Sequence, residues 1–331
     1  MRQTLIAIVT CAFVGGLLAP PRADGQIREP QPRQDTSVRD AGAWIIADST
    51  SGFVLDSFNA RREVQIGSIT KIATAMVVLD WARAQGEDLG QNAIVPDTIT
   101  VLNSPNSIGL KHGDKISLRD ALYAALMQSD NDAAETLAVH LGGKLGGGRT
   151  DREAADFFVA QMNALARKLG MRNTRFLNAH GLDDIERKVP YSTANDIALL
   201  TNYALSHTGF TFYTSQKERR ISWTNSAGEP VAYLLRNTNE LLGAEGIDGV
   251  KTGTTRKAGP CAVISAAQRP DSRLVGDEHI ITPRRLTVVV LNAPARFDIA
   301  KSLLSRGWPL LDEWFQAGRP MKGWKPAVAD R

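Results

Sequence analysis

The chain has 331 residues, 43% hydrophobic and 22% charged, with a formal charge of +4. This composition suits a folded globular protein of one large domain or two modest ones. The charge is too small to point to nucleic acid as a partner, no cofactor is implied, and nothing after residue 23 reaches the roughly 18 apolar residues of a membrane span.

At the N-terminus Arg2 precedes an apolar run from Leu5 to Ala19, then PPRAD. The pattern predicts a secretory signal over 1–23, cleaved after Ala23, against the alternative of a short buried helix. Losing Arg2 and Arg22 would lower the charge from +4 to +2. It would also remove Cys11, which IVT precedes in place of the small residues of a lipidation signal, and leave Cys261 alone. An exported chain without an internal disulfide fits a bacterial envelope enzyme. Residues 24–37 read as a polar leader.

AWIIAD and FVLDS, joined through STSG, predict a β-hairpin. From Ile69 the spacing of Ile72, Ala73, Met76 and Val77 predicts a buried helix. Ser68 stands at its entry, three residues before Lys71. It is either a helix cap or a nucleophile whose proton Lys71 could take, because positions i and i+3 share a face. A lysine packed in a low-dielectric cleft has a lowered pKa and can act as a base. Further helices are predicted at 118–128, 132–141, 154–169, 193–206 and 296–315, and strands at 211–214, 219–223, 259–266 and 285–291. LGGKLGGGRTD, 141–151, lacks a phosphate-loop ending and reads as a surface turn. Residues 269–283 read as a hairpin tip or a loop, either idle or in contact with a partner. Strands at both ends and helices between them predict an α+β fold, with a sheet built from the two ends and an inserted helical lobe.

Three other short motifs bear on chemistry. Ser129-Asp130-Asn131 sits between two predicted helices, where a cap is the plain alternative; Ser104-Pro105-Asn106 has the same spacing but falls in a loop, so Ser129 is preferred. Lys251-Thr252-Gly253-Thr254-Thr255 offers an ammonium, hydroxyls and a glycine that lets substrate approach the backbone, or is a turn beside an edge strand. Arg256 and Lys257 add positive charge, or simply face solvent. His180, in FLNAHGLDD, reads as structural, because no Gly-x-Ser-x-Gly elbow accompanies it. The other histidines form no tight ligand set, so no metal is expected.

The order Ser-x-x-Lys, Ser-x-Asn, Lys-Thr-Gly, with 61 residues from Ser68 to Ser129 and 122 from Ser129 to Lys251, resembles the penicillin-recognising serine acyltransferases. Over residues 38–315 the chain is most similar to the low-molecular-mass D-alanyl-D-alanine carboxypeptidases (peptidase family S11) of the β-lactamase/transpeptidase-like superfamily. The opening hairpin, MRNTRFLNAHGLDD, YSTANDIALL, RNTNELL, GIDGVKTG and RFDIAKSLLSRGW carry that resemblance.

The resemblance implies a mainly antiparallel sheet flanked by helices with an inserted helical subdomain. It implies Ser68 as nucleophile, Lys71 as base and Ser129 as proton relay, with Asn131, Lys251, Thr252, Gly253 and Thr254 binding substrate. The backbone N–H groups of Ser68 and Thr254 would form the oxyanion hole. The implied substrates are peptidoglycan stem peptides ending in D-Ala-D-Ala, with β-lactams as covalent inhibitors. Cleavage of cross-linked muropeptides, β-lactamase action and non-catalytic muropeptide binding are the alternatives. Asp130 is shared with class A β-lactamases, where the carboxypeptidases often have glycine. Those enzymes also need a loop Glu about 36 residues after the Ser; here that position is Leu165, and Glu153 and Glu186 lack the matching context. The position after Lys-Thr-Gly, often His in the family, is Thr254. Residues 316–331 are expected to be a short tail with neither second β-rich domain nor membrane-resting helix, giving a periplasmic or secreted enzyme without a stable anchor.

Overall fold

The computed structural model describes residues 37–102, 104–183, 188–275 and 278–324. The expected signal and nearly all of the leader lie outside the described residues, as does the end of the tail.

The hairpin forms from β1 (Ala43–Asp48) and β2 (Val54–Phe58). Its turn is closed by the Asp48 carboxylate, which accepts from Ser51 N at 2.7 Å. A 3-10 turn, Gly67–Thr70, then leads into α1 (Lys71–Gln85), which is buried along most of its length and ends at Gly86 in the left-handed conformation. Short strands β3 (Asn92–Ile94) and β4 (Lys115–Ser117) precede α2 (Leu118–Tyr123), which continues as one π-type turn over Ala124–Gln128. Asp130 caps α3 (Asn131–Lys144), accepting from Ala133 N at 2.6 Å. A reciprocal Thr150–Glu153 capping box starts α4 (Asp151–Lys168). Then come α5 (Ala194–Ser206), α6 (Phe210–Thr214), β5 (Glu218–Thr224), β6 (Pro230–Arg236), β7 (Ile247–Thr255), β8 (Gly259–Val275), β9 (Glu278–Leu291) and α7 (Arg296–Gln316). No helix of the described residues is long and apolar enough to cross a membrane.

The two ends of the chain build a five-stranded antiparallel sheet in the order β2-β1-β9-β8-β7, as the α+β reading expects. Alternation divides its side chains between two cores. Trp44, Ile46, Ile264, Leu286, Val288 and Val290 pack under α7 against Leu303, Leu311 and Trp314. Ala43, Ile45, Val263 and Val289 face the helical lobe and α1. A second sheet, β3-β4-β5-β6, lies within the inserted part of the chain.

Three segments differ from the sequence reading. Residues 211–214, expected as a strand, lie in helix α6, where Phe210 and Tyr213 bury themselves at helical spacing. Lys251–Thr255 is neither loop nor turn: it is part of β7, itself the edge strand. Residues 269–283 mostly extend β8 and β9, which stay paired from Asp271↔Thr282 to Val275↔Glu278. That ribbon runs past β1 and β7, whose own pairing stops at Leu286 and Ala266.

Candidate active site

Ser68 stands in the 3-10 turn, and Lys71 is the first residue of α1. The turn is pressed against β7. A Cβ on Gly253 would lie 2.8 Å from Ile66 O and 3.1 Å from Ser68 N, so only glycine permits this approach. The sequence reading gives the missing side chain to substrate; the fold also uses it to seat strand on turn. Across the same contact a Cβ on Gly67 would sit 3.4 Å from Thr254 N. The backbones of Ser68 and Thr254 therefore belong to two directly facing segments.

Lys71 is fully buried and spends its three donors on Ser68 Oγ (3.0 Å), Asn131 Oδ1 (2.6 Å) and the carbonyl of His180 (2.9 Å). Burial lowers its pKa to about 7, against the pull of the Asp130 and Asp132 carboxylates, which favour the ammonium. Near neutrality a substantial fraction of Lys71 is thus an amine beside a hydroxyl, able to accept its proton.

The carbonyl that meets Lys71 is held by a tightly wound loop. Asn178 Oδ1 accepts from Gly181 N at 2.6 Å, and Asn178 Nδ2 donates to Leu182 O at 2.8 Å. Gly181 has φ +87°, and a Cβ there would fall 2.0 Å from Gly67 O. The His180 ring is buried, its Nδ1 accepts from Leu182 N at 3.2 Å, and burial together with nearby Lys71 drives its pKa down to about 3. The imidazole is neutral at any physiological pH, and its backbone oxygen is what reaches the site.

Ser129 lies between the π-type turn and α3 with φ +68°, its N–H bonded to Ala124 O. Asp130, next to it, is buried. One carboxylate oxygen caps α3 and the other accepts from Ile108 N at 2.7 Å. Burial pushes its pKa up to about 6 despite those backbone donors. Asp132 accepts from Ser104 Oγ at 2.6 Å and Ser107 Oγ at 2.9 Å. The Ser104 motif set aside in the sequence is therefore tied to the first turn of α3, and it carries Pro105 and Asn106 to the cleft wall.

On β7, Lys251 is buried and donates to Thr252 O at 2.9 Å. Burial, then the like charges of Lys71 and Arg296, hold its pKa well below the usual lysine value. Thr252 Oγ1 lies 2.7 Å from Thr238 Oγ1. Ser68, Ser129, Asn131, Thr252, Gly253 and Thr254 open onto one cleft, with Lys71 and Lys251 buried. Of the other residues of the Lys-Thr-Gly segment singled out in the sequence, Thr255 bonds instead to the Asp183 carboxylate, Arg256 is exposed, and the Lys257 ammonium donates to Asp183 O at 2.6 Å.

The cleft also holds Arg296, which the motif search missed. Its Nη1 donates to Gly253 O (3.1 Å), Thr254 Oγ1 (2.9 Å) and Cys261 O (3.3 Å). It opens the RFDIAKSLLSRGW block, but no local spacing marks it; only the arrival of α7 beside the edge strand brings it to the cleft. Together they gather around one cleft two serine hydroxyls, two buried lysine amines, the backbones of Ser68 and Thr254 on facing segments, and a guanidinium.

A family model described as D-alanyl-D-alanine carboxypeptidase matches residues 29–276. The D-alanyl-D-alanine carboxypeptidase DacC of Escherichia coli is 34% identical over 293 residues, covering 86% of this chain and 64% of its own length. The D-alanyl-D-alanine endopeptidase of Pseudomonas aeruginosa is 31% identical over 271 residues, covering 80% of this chain and 78% of its own. The crystal structure of the Streptomyces K15 DD-transpeptidase superposes with a TM-score of 0.69 at 27% identity, over 82% of this chain and 97% of that one. The chain spans less than two thirds of the first two curated relatives it matches, 64% and 63% of their lengths.

Proposed function

The chain belongs to the S11 family of serine peptidases and has its β-lactamase/transpeptidase-like fold, and from that premise we propose that it is a serine-type D-Ala-D-Ala carboxypeptidase acting on peptidoglycan stem peptides. The observation that carries this reading is the fully buried Lys71 amine, 3.0 Å from Ser68 Oγ with a pKa near 7.

Lys71 takes the Ser68 proton as Oγ attacks the penultimate D-Ala carbonyl. The developing oxyanion lies between the N–H groups of Ser68 and Thr254. Ser129 passes the proton to the leaving amine, with Lys251 tuning it from β7. Asn131 binds the substrate amide while holding Lys71. The terminal carboxylate lies against Thr252, Thr254 and the Arg296 guanidinium, a charge-assisted contact. Terminal D-Ala departs, and water then hydrolyses the Ser68 ester to release the shortened peptide and a proton. A β-lactam presents its strained amide to the same hydroxyl and remains attached. Such a substrate lies outside the cytoplasm, so residues 1–23 act as an export signal and the enzyme works in the periplasm or as a secreted protein.

The β-lactamase reading finds no support at position 165, where Leu165 is buried on α4; Glu186 lies outside the described residues. Incubation with a pentapeptide ending in D-Ala-D-Ala releases one D-Ala per peptide, and Ser68→Ala releases none. A chain that leaves the pentapeptide intact is not a carboxypeptidase.

A further inference from the structure

Behind the loop that offers His180 O to Lys71 lies a space that the proposed reaction leaves unused. Leu177, Ala179 and His180 line a cavity of about 90 Å³, with Val101 and Leu102 on the side that leads to the Pro105–Asn106 wall and with α3 and α4 completing it. It shares no lining residue with the Ser68 cleft. Arg152, Asp156, Val159 and Leu177 also line a surface groove, so the cavity opens through them to solvent. From α1 the same loop is gripped twice. Thr74 Oγ1 donates to Ala179 O at 2.6 Å, and Lys71, three residues earlier, donates to His180 O.

Glu135 stands one turn beyond Asn131 on α3, lines this cavity and is only 8% exposed. Among the described residues no ion pair reaches its carboxyl. Burial raises its pKa, and the Thr98 hydroxyl and the Arg152 charge offset that only in part. Arg152 itself pairs with Asp156 at 3.2 Å. Those two charges cancel, so an ionised Glu135 gives the cavity a net negative charge.

We infer that this cavity binds a short primary amine, with its ammonium on the Glu135 carboxylate and its chain against Val101, Leu102, Ala138 and Leu177. The lining selects that occupant. An anion would meet an uncompensated acid, and a hydrocarbon would leave a buried carboxyl without a donor. An ammonium supplies both the opposite charge and the hydrogen bonds. Size sets the length. An apolar cavity of about 150 Å³ holds benzene, so one of about 90 Å³ admits a chain of about four heavy atoms. Binding is non-covalent and independent of the acyl-enzyme chemistry proposed above. The occupant braces the loop carrying His180 O from the side opposite α1.

Calorimetric titration tests the site, with n-propylamine as the probe and n-propanol, its neutral counterpart, as the control. Wild type, Glu135→Gln and Val159→Phe are compared after circular dichroism has established that each is folded. Wild type should bind one n-propylamine with a Kd of about 1–10 mM, a range open to so small a ligand. n-Propanol should bind at least about tenfold more weakly, because it brings no charge to Glu135. Glu135→Gln keeps the size of the side chain and should weaken the amine by about tenfold or more. Val159→Phe fills the neck between cavity and groove and should abolish binding while leaving Glu135 in place. No saturable binding to wild type, equal affinity for n-propanol, or an amine affinity unchanged in either folded variant overturns the proposal.

Discussion

The two faces of the five-stranded sheet are buried to similar depth and filled differently. Under α7 the contacts are apolar: Trp44, Ile46, Leu286, Val288 and Val290 against Leu303, Leu311 and Trp314. On the α1 side the same sheet also buries Lys71, Asp130, Asn131, Asp132, His180 and Lys251 near one another. Removing a charge from water costs several kcal/mol unless it is paired or neutralised. The first face needs no explanation beyond hydrophobic burial. The second is stabilised less per residue and makes sense through the pKa values it creates. Stability and chemistry should therefore respond separately to mutations on the two sides.

Lys71→Met should give the largest effect, a loss of turnover of about a thousandfold, as expected for removing a positioned base. In the wild type kcat/KM should rise with pH through about 7 and then level off, because only neutral Lys71 accepts the Ser68 proton. The sign for stability follows from the same shift. With a folded pKa near 7 and an ordinary value of 10.5, the native state binds fewer protons between them, so that window should stabilise wild type relative to Lys71→Met as pH rises. Denaturant titrations at pH 6 and 9 measure it.

On the other face Leu303→Ala should cost about 2–5 kcal/mol in urea unfolding, with kcat unaltered in the folded fraction. A large fall in kcat with little loss of stability would break the division between the faces. Arg296→Ala comes next. Losing a charge-assisted contact of about 1.5–3 kcal/mol should lower kcat/KM for the pentapeptide by about 10- to 100-fold.

Asp130 contributes both to stability and to the cleft. Asp130→Ala removes the α3 cap and orphans Ile108 N, costing about 1–2 kcal/mol and loosening the Pro105–Asn106 wall of the cleft. Asp130→Asn keeps an acceptor oxygen and should cost less. The pKa raised to about 6 means that ionisation of the carboxylate weakens folding as pH rises from about 4 to 6. Thermal melts of wild type against the two variants, which lack the titrating carboxyl, across that range provide the readout.

The same contrast explains what the sequence revealed. Helices such as α1 and α4 and the end strands were readable because apolar spacing is a local signal. The motif residues were readable because their types and order are unusual. Arg296 was not, since its neighbours in the site, Gly253 and Thr254, arrive from another strand. Nor was α6: Phe, Tyr and Thr favour strands in isolation, and only the burial of Phe210 and Tyr213 on one side selects a helix. β6 escaped because its side chains mostly stay half-exposed or exposed and carry little pattern. Nor could the sequence show that Asn178 and Gly181 shape the loop that offers His180 O to Lys71, because that contact joins residues more than a hundred positions apart along the chain.

On the proposed reading, the polar face makes Ser68 a nucleophile. Fluorescent penicillin followed by peptide mapping tests it most directly. The expected result is a single covalent adduct on Ser68, absent from a folded Ser68→Ala protein. An adduct on another residue, or none on a correctly folded wild-type chain, would contradict it.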